Sequence, residues 1–341
     1  MSDPTREHRI SSFLIAAGWG QATRQPLAGD ASARRYERLA GKQGFSVLMD
    51  APPISGESVA RFARMARWLR NCGFSAPEIL AEDDAAGLLL LEDLGDDLLA
   101  RLIAADPSRE APLYAEITDF LLALHRHPAP DFLLPLDGPA LAELTRLAPE
   151  WYLPGIGAKP NAAASEVPGL IEAAYCKLND QTPVASLRDF HAENLLWLPG
   201  RVGPARLGLL DFQDAVATHP AYDLVSALQD ARRDVMPAVE ATERARYTRA
   251  KGLEQGRFLA IYALLGAQRS LRILGVFARL CMVAGKPHYV DLMPRTWAYI
   301  ERNLAHPDLA DLAAAIHAAL PAPTPERLER IKGQCGQHLK H

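Results

Sequence analysis

Apolar residues recur at helical spacing from the start of the chain. Ile10, Phe13, Leu14 and Ala17 share one side of a segment that Gly18 and Gly20 end, which predicts a helix over 2–17. The pattern then shortens: Gly29-Asp30-Ala31-Ser32 punctuates one run, and residues 41–44 separate an apolar run at 36–39 from another at 45–49. The stretch 21–50 therefore reads as three antiparallel strands joined by two turns. Val59, Phe62, Met65, Ala66 and Leu69 form a stripe with arginines on the other faces, predicting a helix over 55–71. Two more strands are expected near 78–82 and 87–92, before Asp93-Leu94-Gly95 breaks the pattern.

Beyond Asp96 the periodicity is mainly helical, over 97–104, 111–125, 141–147, 169–178, 221–231, 238–251, 252–283 and 289–303. Only 184–187, 195–198 and 207–210 depart from it, as short apolar runs suited to small strands around a site. With 341 residues the chain exceeds what one core usually organises. The expectation is an α+β fold of two lobes: a small antiparallel-sheet lobe over 1–95 and a larger, mainly helical lobe over 96–341.

Composition narrows the function. Hydrophobic residues make up 49% and charged residues 23%, the range of a folded globular chain. Lys plus Arg numbers 37 against 41 for Asp plus Glu, a net charge of -4 that gives no electrostatic reason to expect nucleic acid. Cys72, Cys176, Cys281 and Cys335 are far apart with no CxxC spacing, so neither zinc nor redox chemistry is signalled. The first ten residues lack an apolar core, and no run approaches the roughly 18 uninterrupted apolar residues of a membrane span. A cytoplasmic monomer without a membrane partner is expected.

The chemistry concentrates in Leu187-Arg188-Asp189-Phe190-His191-Ala192-Glu193-Asn194 and, seventeen residues later, Asp211-Phe212-Gln213-Asp214. Phosphoryl transfer needs a carboxylate beside the attacking hydroxyl and oxygen ligands for magnesium on the leaving phosphates. Asp189 is of the right type for the first task, and Asn194 and Asp211 for the second. Asp and Asn also cap turns through their own side chains, which is the structural alternative. His191 reads equally as a substrate-binding group or a packed loop histidine. Asp214 reads as a group near metal or phosphate at the substrate site, or as one that only bonds its own hairpin backbone. Glu150 and Trp151 suit sugar hydroxyls and stacking, against plain core packing for the tryptophan. Gln268, Arg269 and Arg272 share a helical face and fit a substrate carboxylate, or a solvated face. There is no GxxxxGK[ST] string, which excludes a P-loop.

Residues 187–214 resemble the catalytic and metal loops of the aminoglycoside phosphotransferase and choline kinase superfamily, whose fold is that of protein kinases. Asp189, His191 and Asn194 match that family's H-G-D-x-H-x-x-N or H-R-D-x-H-x-x-N pattern, while Leu187 replaces its first histidine. The resemblance implies a kinase using ATP and magnesium, with Asp189 catalytic, Asn194 and Asp211 on the metal, and Asp223 anchoring the catalytic loop. It also implies that a hinge near Glu92 and Leu94 offers backbone groups to adenine. Where the family has a strand lysine this chain has Met49, so Arg34 or Arg35 is the expected phosphate cation, two parallel hydrogen bonds being available to a guanidinium. Gly29-Asp30-Ala31-Ser32-Ala33-Arg34-Arg35-Tyr36, Leu48-Met49-Asp50-Ala51-Pro52-Pro53 and Leu274-Gly275-Val276-Phe277-Ala278-Arg279-Leu280 are similar to the bacterial anomeric N-acetylmuramate and N-acetylglucosamine kinases. That similarity puts Ser32 beside the nucleotide and implies an N-acetylated amino sugar as acceptor, in cell-wall recycling. The alternatives are a kinase for another small alcohol, such as an aminoglycoside or choline, and a catalytically silent nucleotide-binding module.

Overall fold

The computed structural model describes residues 4–27, 34–52 and 59–338. Its first compact unit comprises Met1–Arg109 together with Ala192–Asp214, and its second comprises Glu110–His191 with Ala215–His341. The expected lobe boundary after Gly95 does not coincide with this division.

The first unit is built on five antiparallel strands in the order β1-β2-β3-β5-β4: β1 (Thr23–Leu27), β2 (Arg35–Gly41), β3 (Gly44–Asp50), β4 (Ile79–Asp83) and β5 (Leu88–Glu92). Helix α1 (Pro4–Ala16) lays Ile10 and Leu14 on one face of this sheet, in a cluster with Trp19, Leu39, Leu48, Leu88 and Leu90. Helix α2 (Val59–Asn71) buries the expected stripe of Val59, Phe62, Met65, Ala66 and Leu69. A short helix α3 (Leu99–Ala105) follows the sheet.

The hairpin of β7 (Leu195–Trp197) and β8 (Leu207–Leu209) belongs to this unit because its backbone is tied there. Leu209 donates to the carbonyl of Ser75 at 3.0 Å and Trp197 to that of Asp97 at 2.8 Å, while the Ser75 hydroxyl bonds the Ala205 carbonyl at 2.6 Å. Backbone pairing across more than a hundred residues leaves no local signal in the sequence, which is why periodicity assigned the hairpin to the helical region.

The second unit is helical: α4 (Glu110–Leu124), α5 (Gly138–Thr145), a single turn α6 (Leu153–Gly155), α7 (Ala162–Leu178), α8 (Ala221–Leu228), α9 (Pro237–Ala250), α10 (Gln255–Met282), α11 (Met293–Leu304), α12 (Ala310–Ala319) and α13 (Pro325–Lys332). Two short strands, β6 (Val184–Ser186) and β9 (Val216–Thr218), pair antiparallel within it. Helix α10 is long and apolar enough to cross a membrane by length and composition, yet it is the mostly buried central helix of this unit. Gly275 is needed in it, since a Cβ there would lie 2.2 Å from the carbonyl carbon and oxygen of Leu147. That close approach seats a π turn over Ala148–Tyr152 against α10.

Several boundaries differ from the periodicity. Helix α7 begins at Ala162, capped by the Asn161 side chain, and runs through Pro168 rather than starting after it. The residues from Pro287 to Leu292 form a 3-10 turn before α11. Strand β9 and helices α12 and α13 carry patterns too short or too alanine-rich to stand out.

Candidate active site

The loop after β6 is held from below by one carboxylate. Asp223, 1% exposed in the first turn of α8, accepts from the Ser186 hydroxyl at 2.6 Å, from the Leu187 amide at 2.6 Å and from the Arg188 amide at 3.0 Å. Burial pushes its carboxyl up to about 6, against the pull of those three donors. Arg188 sits at φ 69, a left-handed conformation costly for a side chain with a Cβ, and the Asp223 hydrogen bonds offset that strain. The turn delivers Asp189.

Asp189 is surrounded by positive charge within the second unit. Arg269 of α10 stands 3.9 Å from its Oδ1, and the same guanidinium nitrogen donates to the Arg188 carbonyl at 3.1 Å while the group lies over the Tyr222 ring. Burial alone would raise Asp189, but the charges of Arg272 and Arg269, and further that of Arg188, hold it below the ordinary carboxylate value. It is therefore an ionised acceptor at neutral pH. His191 is 3% exposed, with Nε2 2.8 Å from Nη1 of Arg232. Burial and that guanidinium lower its proton affinity well below the usual histidine value, so the ring is neutral and accepts from Arg232.

Asn194 and Asp211 lie in the first unit, at the same end of the β7–β8 hairpin. Asn194 closes a 3-10 turn immediately before β7, and its carbonyl accepts from Leu210 at 3.0 Å, one residue from Asp211. Asp211 is, among the described residues, the other non-glycine residue with left-handed backbone, at φ 54, and its carboxylate is 49% exposed. Its Oδ1 accepts from the Gln213 amide at 2.7 Å and faces Nη1 of Arg34 at 3.6 Å. The ring of the next residue, Phe212, packs on Phe62 of α2 with centroids 4.7 Å apart, fixing the loop. No group of three or more His, Cys, Asp or Glu suited to a metal occurs among the described residues. One carboxylate and one amide oxygen at a hairpin end fit magnesium, which keeps waters and substrate phosphates as its other ligands.

The remaining expected residues scatter. Arg34 is buried beside Asp211, whereas Arg35 opens β2 with its side chain exposed. Ser32 lies outside the described residues. Met49 is 0% exposed within β3. The Glu92 carboxylate takes Arg70 at 3.3 Å, the Glu78 amide at 3.2 Å and Arg201, so its side chain ties strand β5 to the hairpin. Leu94 follows in the connector, packed over Gly208, and its backbone makes no hydrogen bond among the described residues. Asp214 is exposed. Glu150 and Trp151 fall in the π turn, Glu150 exposed and Trp151 edge-on to His338 with centroids 6.4 Å apart, away from the Asp189 loop's own contacts. Sequence reasoning missed Ser186 and Arg232, the partners of Asp223 and His191; neither stands in a spacing that signals its contact.

Comparison with known proteins gives the family. Residues 23–262 match the phosphotransferase enzyme family. The chain is 42% identical to the N-acetylmuramate/N-acetylglucosamine kinase of Caulobacter vibrioides, over 94% of this chain and 98% of that one. It is 31% identical to the enzyme of the same description from Pseudomonas aeruginosa, again over 94% and 98%. Among solved structures, the choline kinase LicA from Streptococcus pneumoniae superposes with a TM-score of 0.62 at 14% identity, covering 87% of this chain and 99% of that one, which establishes the protein-kinase-like α+β fold. On the family match and these relatives, the chain belongs to the phosphotransferase enzyme family.

Proposed function

We propose that this protein is an ATP-dependent kinase that phosphorylates the anomeric hydroxyl of N-acetylmuramate and N-acetylglucosamine, in the cytoplasm, as a step of cell-wall recycling. The observation that carries the choice of acceptor is the 42% identity, across nearly the whole of both chains, to the Caulobacter enzyme. The chemistry follows from the residues. Asp189, ionised and half-buried in the loop, takes the proton of the acceptor hydroxyl as that oxygen attacks the γ-phosphorus in line. Asn194 and Asp211 are the oxygen donors for magnesium. The ion, when bound, neutralises charge that develops on the transferring phosphoryl group. Arg34, whose guanidinium already faces Asp211, is the candidate for the phosphate contact a lysine makes elsewhere in the fold.

A cationic acceptor such as choline or an aminoglycoside fits poorly. Arg269 and Arg272 act directly on Asp189 and Arg188 flanks it, so a positive ligand at that carboxylate meets repulsion. A nucleotide-consumption assay with magnesium-ATP tests the reading. Turnover with the two N-acetyl sugars, and release of the sugar 1-phosphate, is expected; turnover only with choline or an aminoglycoside refutes it.

A further inference from the structure

We infer that Arg269 is a positioning residue for Asp189, its one guanidinium both fixing the turn that carries this carboxylate and supplying a charge that faces it. This rests on the reading of Asp189 as proton acceptor given above.

Arg188 is held at both of its backbone polar groups. Its amide donates to Asp223 at 3.0 Å, and its carbonyl accepts from Arg269 Nη1 at 3.1 Å and from the Ser226 hydroxyl at 3.3 Å. That carbonyl belongs to the planar peptide that leads into Asp189, so donors from α8 and α10 together set the direction in which the Asp189 side chain departs. Ser226 brings only a hydroxyl to this task, whereas Arg269 brings a charge. The same Nη1 stands 3.9 Å from Asp189 Oδ1, too far for a hydrogen bond and close enough for direct attraction. Arg269 therefore favours the anion while its own hydrogen bond goes to the backbone. The group is fixed in place: Arg269 is 5% exposed, and its guanidinium carbon lies 5.8 Å from the Tyr222 ring centroid. Further charge reaches the carboxylate from Arg272 of the same helix and from Arg188 of the loop, while Arg232 faces neutral His191 and Asp223 lies beneath the turn. A sequence face of Gln268, Arg269 and Arg272 suggests a ligand-binding cation at position 269; the contacts instead direct that residue inward, to the loop.

Three variants separate the two roles. Ser226→Ala removes one donor to the Arg188 carbonyl and leaves every charge in place, so kcat is expected to fall by less than about tenfold with the shape of its pH profile unchanged. Arg269→Gln removes the charge as well. Its kcat is expected to fall about 10- to 100-fold at pH 8 and about tenfold further at pH 6, with KM for magnesium-ATP and for sugar changed by less than about threefold. Arg269→Lys keeps the charge without the planar fork and is expected to restore the parent's profile and part of its kcat, and it serves also if the glutamine variant does not fold. A profile in Arg269→Gln that matches Ser226→Ala would overturn the inference, as would a lysine variant no better than the glutamine one. Asp223 also feels the charge of Arg269, so a double-mutant cycle tells the two carboxyls apart. In an Asp189→Asn background, Arg269→Gln should lower the melting temperature by less than it does in the parent, because the anion it faces is gone; equal losses in the two backgrounds would refute the contact. The cycle needs no substrate. A parent that phosphorylates neither N-acetyl sugar thus refutes the function proposed above, while the cycle still decides the role of Arg269.

Discussion

Replacing Asp223 with asparagine separates the stability of the catalytic loop from its activity. In the parent, the Asp223 carboxyl is raised from 3.8 to about 6 by burial, so the folded state binds its proton more tightly than the unfolded chain does. Stability from this group is full below 3.8 and is lost as pH rises through about 6, a difference of about 3 kcal/mol. Asp223→Asn removes that loss at neutral pH. It also sets an NH2 group where Oδ2 accepts the Leu187 amide at 2.6 Å, and a lost buried hydrogen bond with a donor facing a donor costs about 1–3 kcal/mol. The two effects nearly cancel, so urea unfolding near pH 7 should change by less than about 2 kcal/mol, and its slope between about pH 4 and 6 should flatten. Activity does not share the compensation. The turn carrying Asp189 loses its clamp, and a displacement of about 1 Å is enough to lower kcat about 100-fold. The parent's own kcat should fall as pH drops through about 6, since a protonated Asp223 turns an O–H toward donors; Asp189 and His191, both held below their ordinary values, do not titrate there. Stability and activity thus move in opposite directions on one titration. A variant with kcat within about threefold of the parent would refute the clamp, as would parent stability that is flat with pH over that window.

Other outcomes follow from the same contacts. Asp189→Ala should still fold, with a lowered melting temperature because the attraction of Arg269 and Arg272 is lost, and should lose about 100- to 10,000-fold in kcat because the proton acceptor is removed. Asp211→Asn should keep the parent's stability, asparagine tolerating left-handed backbone, while requiring more magnesium for half-maximal turnover; Asp211→Ala at φ 54 should also lose about 1 kcal/mol in urea unfolding. Gly275→Ala forces a methyl to 2.2 Å from the Leu147 backbone and should lower stability by about 3 kcal/mol or more, read as a drop in melting temperature.

What could be read from the chain divides by range. The five strands and helix α2 are local patterns, and each appears in the structure at or near its expected place. The lobe boundary after Gly95 was not legible, because hydrogen bonds from residues 197 and 209 back to Asp97 and Ser75 decide where the hairpin belongs. The roles of the arginines were not legible either. Spacing puts Gln268, Arg269 and Arg272 on one face, yet only the positions of the Leu141 and Arg188 carbonyls show what Gln268 and Arg269 hold. The replacement of the family's first loop histidine by Leu187 looks from sequence like a lost support. In the structure Leu187 is 3% exposed, its amide donates to Asp223, and neighbouring Phe190 stacks on Phe120 at 5.3 Å. Backbone donors to one buried carboxylate and apolar burial on either side thus fix the turn without an imidazole. A substitution in a catalytic motif counts against activity only when the contacts that replace it are missing, and around Asp189 they are present.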